Sequence, residues 1–83
     1  MIGPVLVGDE RLRVGEQSNY VLENTNEVVK FSVSDETLVK IKRTASNACT
    51  VYANENNKIG FITLVAQLGE EEFKKEIAII PLW

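Results

Sequence analysis

Histidine is absent from this chain of 83 residues. With it go the commonest general base at neutral pH and the commonest nitrogen ligand for a metal ion. A single cysteine, Cys49, excludes an internal disulfide and a thiolate zinc site. Long hydrophobic runs are missing too. The stretch from Ile77 to Leu82 is interrupted by Pro81 and falls far short of the ~20 residues that carry a helix across a bilayer, so no membrane insertion is expected. The first residues hold no basic stretch followed by an apolar one, so no leader peptide is expected in them. There is no excess of basic residues: the formal net charge is −3, which argues against nucleic acid or an anionic membrane surface as partner. No window sustains apolar residues at i, i+3, i+4 and i+7, so no substantial helix is expected.

What remains is rich in stiff, branched side chains. Ten valines, seven isoleucines and five threonines make up about a quarter of the chain, against five alanines and one methionine. Such residues suit a pleated sheet. The length allows one domain, 1–83, with one modest core and no deep internal cavity.

Short apolar runs separated by polar turn clusters follow one another at roughly 8–12 residue spacing, the rhythm of a sandwich or barrel. The runs are Pro4–Val7, Tyr20–Glu23, Val28–Val33, Leu38–Lys42, Ala48–Ala53, Phe61–Gln67 and Phe73–Ile80. Gly8-Asp9-Glu10 reads as a turn, and Ser34 as the cap of one helical turn. The connections are too short for parallel crossovers, so pairing is expected to be mostly antiparallel. The reading is an all-β, antiparallel β-sandwich of about seven strands. Its expected core is Leu6, Leu22, Val29, Phe31, Val33, Val39, Ile41, Val51, Ile62, Leu64, Ile77 and Ile79. Removing the Phe31 ring is expected to cost about 3–5 kcal/mol.

Val14-Gly15-Glu16 stands ahead of a hydrophobic strand. Phe31-Ser32-Val33-Ser34 precedes an acidic turn and then Val39-x-Ile41. Gly60 opens Ile62-x-Leu64-x-Ala66, and the chain closes on Lys75-x-Ile77-x-Ile79. In this order and spacing, from about Val5 to Ile79, the sequence resembles the group 2 bacterial immunoglobulin-like domains, as found in phage tail proteins and bacterial surface adhesins. Phe31 stands where that family commonly has tryptophan, and Ser46-Asn47-Ala48 replaces its usual Gly-x-Val hairpin. The resemblance implies an Ig-type sandwich without enzymatic activity or cofactor, one bead in a longer protein of a virion or cell surface. Its partners would be neighbouring domains of the same chain and a cell-surface glycan or protein.

Candidate functional residues are few. Cys49 alternates with Val51 and Ala53 and is expected to be buried and inert. Glu70-Glu71-Glu72 reads as a solvated hairpin tip, because successive carboxylates on a strand diverge and cannot share a cation. Asp9-Glu10 and Asp35-Glu36 lack the cleft that a catalytic carboxylate pair needs. Lys40, Lys42 and Arg43 read as one outward face guarding an edge. Tyr52, Phe61 and Val65 are candidates for an outward apolar patch, and Asn24, Asn26, Asn54 and Asn57 for polar loop contacts with a partner. Leu82 and Trp83 read as an edge that would pack against a following domain, and the apolar ends suggest a unit excised from a longer chain.

Overall fold

The alternating runs form strands because every second side chain can then enter a shared apolar layer while its neighbour meets water. The computed structural model describes residues 3–81, so Leu82 and Trp83 lie outside the described residues. In chain order the strands are β1 (Val5–Val7), β2 (Arg11–Arg13), β3 (Gln17–Glu23), β4 (Lys30–Val33), β5 (Val39–Ala45), β6 (Ala48–Ala53), β7 (Gly60–Leu68) and β8 (Glu71–Ile80). They make two four-stranded sheets, ordered β1-β3-β6-β5 and β2-β8-β7-β4. Among the described residues there is no helix.

Eight strands replace the expected seven. The additional one is Arg11–Arg13, in which Leu12 is buried between two exposed arginines. Three residues carry too little periodicity to stand out beside the Gly8-Asp9-Glu10 turn. β2 pairs parallel with β8, from Arg11↔Ala78 to Arg13↔Ile80, and every other pair is antiparallel. A parallel pair needs a long connection, and here nearly the whole domain supplies it.

β1 and β2 are two halves of one run divided between the sheets, and the crossing lies at Gly8. A Cβ on Gly8 would sit 2.1 Å from Cδ2 of Tyr20, so only glycine lets the backbone pass the ring. Tyr20 is fully buried, and its hydroxyl donates to the Asp9 carbonyl at 2.7 Å. The Ser18 hydroxyl donates to the Asp9 carboxylate, also at 2.7 Å. Burial, reinforced by the nearby Asp9 charge, pushes the Tyr20 phenol up to about 12.

The main core lies between the sheets and includes Leu12, Val14, Tyr20, Val39, Val51, Ile62, Leu64, Ile77 and Ile79. A smaller cluster joins Leu22, Val29 and Ala66. Leu6, Phe31, Val33 and Ile41, expected in the core, are only partly buried and pack against its margins. All four lie on strands at the edges of their sheets, where one flank has no neighbouring strand. Phe31 is roofed instead by the Arg43 guanidinium, 5.8 Å from its ring centroid. Tyr20, Leu12, Val14 and Leu38 are buried although none was in the expected core: Leu12 and Val14 fall outside the apolar runs, and Tyr20 and Leu38 stand at the first position of theirs. The connection after β4 is a simple turn rather than the expected helical one, and Asp35 rather than Ser34 closes it: one Asp35 oxygen accepts from the Thr37 amide at 2.9 Å and hydroxyl at 2.6 Å. These bonds hold the Asp35 carboxyl below its ordinary value.

Strand directions define two poles along a body with principal extents of 41 × 20 × 18 Å. Gly3 lies at one pole, where Val5 pairs with Glu23 and the Asn24 amide donates to the Gly3 carbonyl at 3.1 Å. Ile80 and Pro81 lie at the other, beside Val14, whose amide donates to the Ile80 carbonyl at 3.0 Å.

Two outcomes test this account. Gly8→Ala should lower stability by about 3 kcal/mol or abolish folding, read by urea denaturation, because the ring beneath has nowhere to go. Tyr20→Phe should cost about 1–2 kcal/mol by leaving the Asp9 carbonyl short of a donor. The raised Tyr20 value favours the native state below the ordinary phenol range, near pH 10, and that contribution is lost as pH rises towards about 12. The variant should lack this share of the alkaline decline.

Candidate functional site

Pairing β5 with β6 sets Lys40 opposite Tyr52, and β3 sets Gln17 on the other side of the same tyrosine. These residues point outward because Val39, Ile41, Cys49 and Val51 take the inward positions. Beyond them the chain turns at Asn54, near the pole where Pro81 lies. Together Tyr52, Lys40, Thr37, Asn54, Glu55 and Asn56 line an open groove of about 380 Å³. The groove offers the half-buried Tyr52 ring, an ammonium, a carboxylate and several amides and hydroxyls, a set suited to hydrogen-bonding a polar surface ligand.

The groove is shaped by Asn54, whose side chain is committed to the fold. Its amide nitrogen donates to the Leu38 carbonyl at 2.9 Å and the Lys58 carbonyl at 3.0 Å. Its oxygen accepts from the Asn56 amide at 2.8 Å and the Lys58 amide at 3.2 Å. Asn57 follows in the left-handed region, φ 60°, on the exposed loop. Asn24, also left-handed at φ 67°, and Asn26 lie at the opposite pole between β3 and β4. The four asparagines therefore form no single contact surface.

The three apolar candidates divide in the same way. Tyr52 belongs to the outer face of the first sheet. Phe61, 69% exposed, and Val65, half-buried, belong to the outer face of the second. Opposite Phe61 on β8 is Ala78, which leaves the ring without a large neighbour on that side. Of the seven candidates, Tyr52 and Asn54 meet in this groove, while Asn24 and Asn26 line a separate, more open hollow at the other pole with Glu23 and Asn47. Lys40 joins Tyr52 and Asn54 because of the β5–β6 register, which no local pattern announces.

Arg43 does not share the outward face of Lys40 and Lys42. It lies on the opposite face, exposed at the rim of the sandwich over Phe31, and donates to the carbonyls of Val29, Ala45 and Ser46, the last at 2.9 Å. A register shift between Arg43 and Ala45 lets the strand turn there. Asn47 braces the same pole through its side chain, which donates to the Leu22 carbonyl at 3.0 Å. Its backbone stays outside the left-handed region that a Gly substitute would suggest.

Cys49 is buried, and desolvation pushes its thiol up to about 11 despite the opposing Arg43 charge. A thiol so placed is a poor nucleophile. Asp9 is engaged by Ser18 at the sheet crossing, whereas Asp35 closes the turn after β4 with Thr37. Among the described residues, no three of Cys, Asp and Glu gather as a metal-binding group would require.

Two measurements probe this region. Asn54→Ala should cost about 1–3 kcal/mol in urea denaturation, since the Lys58 carbonyl and the Asn56 and Lys58 amides lose their partner together, while the Leu38 carbonyl keeps the Asn54 backbone amide. Cys49 should resist a thiol-specific reagent at pH 8 in native protein and react fully once denaturant is added.

Compared with family models, curated proteins and solved structures, the chain finds no match.

Proposed function

We propose that this chain is a non-catalytic immunoglobulin-like module of a phage tail or other virion protein, a spacer and weak surface-binding unit within a larger protein. The sheet orders support the immunoglobulin-like part. If β1, β3, β6 and β5 are strands A, B, E and D, the first sheet has the ABED order, and β4, β7 and β8 supply C, F and G. β2 then continues the first strand alongside G. The resemblance of residues Val5 to Ile79 to group 2 bacterial immunoglobulin-like domains carries the virion or cell-surface setting. Neighbouring domains of the same chain are the proposed first partners.

One observation carries the spacer role: Gly3 and Pro81 lie at opposite poles of a 41 Å body. A tensile load on the two ends therefore runs along the strands. It draws β2 towards one pole and β8 towards the other, so their parallel ladder is sheared as a whole rather than opened bond by bond. Weak contacts at a surface gain strength when many such modules are joined.

The groove at Tyr52 favours a second reading, a receptor- or glycan-binding domain of a bacterial surface adhesin. Its amides, ammonium and aromatic ring suit a hydroxyl-rich ligand. Binding to a cell-surface glycan that disappears on Tyr52→Ala and Lys40→Ala, with folding unchanged, would select it.

Stretching single molecules from their two ends tests the spacer reading. Unfolding should occur in one step, and Val14→Pro, which deletes the Val14–Ile80 hydrogen bond, should lower the unfolding force. Gradual extension at low force, strand by strand, would overturn the force-bearing role.

A further inference from the structure

β8 is ten residues long, but β2 pairs with only its last three. The Ala78 amide donates to the Glu10 carbonyl at 2.9 Å, which ends the bonding on that flank. Backbone groups of successive strand residues turn to opposite sides. Glu76, Lys74 and Glu72, spaced by two from Ala78, therefore aim their N–H and C=O groups at the same open flank. All three are exposed, and among the described residues no backbone group pairs with them there. The ladder to β7 on the other flank is unbroken from Gly60↔Ile79 to Leu68↔Glu71, so the edge is regular. The two-residue turn Gly69-Glu70, with Gly69 at φ 62°, bounds it at one end and β2 at the other.

A regular free edge is a template for another strand. Which strand fits is written in its side chains. Glu71-Glu72-Phe73-Lys74-Lys75 reverses its charge about Phe73. We infer that this edge is the interface of a symmetric dimer, in which two copies of β8 pair antiparallel about a two-fold axis at Phe73. Glu72 of each copy then lies opposite Lys74 of the other, and Glu71 opposite Lys75. The two phenylalanines meet at the axis on the core side.

The backbone agrees with this register. Glu72 and Lys74 both face the open flank, so each Glu72–Lys74 pair exchanges two hydrogen bonds. Centring the axis on Lys74 would set that lysine against itself and Glu72 against Glu76. Centring it on Lys75 would oppose two lysines, and a parallel pairing in register would oppose like charges throughout. Like charges directly opposite one another disfavour a pair. The slot between β2 and the turn is long enough for the five-residue palindrome. The result is one continuous sheet, β4-β7-β8 joined to β8-β7-β4 of the second copy, with the same patch used twice, as a two-fold interface requires.

The long edge at β5 lacks this complementarity. It carries Lys40 and Lys42 on one face and is bent by the shift at Arg43, both of which hinder strand addition.

Sedimentation equilibrium of the intact chain, at low salt and over a range of concentrations, tests the proposal. The chain should dimerise reversibly, and more weakly in about 1 M salt, where screening acts within about 3 Å. Glu72→Lys and Lys74→Glu alter exposed side chains only, so circular dichroism should be unchanged. Each alone should weaken dimerisation by about tenfold or more. Mixed in equal amounts, the two variants should associate as a heterodimer, because every Glu72–Lys74 position then pairs opposite charges. A chain that stays monomeric up to about millimolar concentration would overturn the proposal. So would variants that dimerise like the parent, or a mixture that remains monomeric.

Discussion

The contact between Gly8 and the Tyr20 ring is the constraint on which the rest of the molecule depends. The first strand must leave one sheet after Val7 and join the other at Arg11, and it does so directly over a buried aromatic ring. Tyr20 holds the crossing from below by packing, and from the side by its hydroxyl on the Asp9 carbonyl. A large residue beneath and the smallest residue above make one fitted pair. Through it β1 closes the edge of the first sheet and β2 caps part of β8 in the second.

That division of the first strand has consequences far from Gly8. Because β2 takes only the end of β8 near Ile80, the rest of the flank stays open. It also places Gly3 and Pro81 at opposite poles, as the proposed spacer role would require. Each pole is held by side chains that satisfy backbone groups. Asn54 organises one loop cluster, while Arg43 and Asn47 tie the β5–β6 turn to Leu22 and Val29 at the other. Polar residues in such loops are more readily explained by the carbonyls and amides they satisfy than by ligands.

The long strands were readable one residue at a time. Ile62, Leu64 and Ala66 alternate with exposed or half-buried neighbours in β7, and Ile77 and Ile79 do so in β8. Among the short elements β1 was readable from its apolar run, but β2 was not, since Arg11-Leu12-Arg13 contains a single apolar residue. The candidate groove was partly readable. Tyr52 and Asn54 are conspicuous in the sequence, but Lys40 and Thr37 reach them only through pairing across different strands. Arg43 misled because the step from Lys42 to the next residue inverts the face, and its carbonyl partners lie up to 14 residues away.

The sequence by itself determined the class of fold, through the abundance of β-branched residues and the period of two, which leave a sheet as the way to bury them. It also contained the charge reversal about Phe73, visible in five consecutive letters. Only the tertiary structure decided which sheet each strand joined, because that depends on contacts between residues far apart, such as the Tyr20 ring under Gly8. It decided as well that the flank of β8 around Phe73 is free. Local chemistry can specify what a strand would pair with, but whether the edge is open depends on where the rest of the chain has gone.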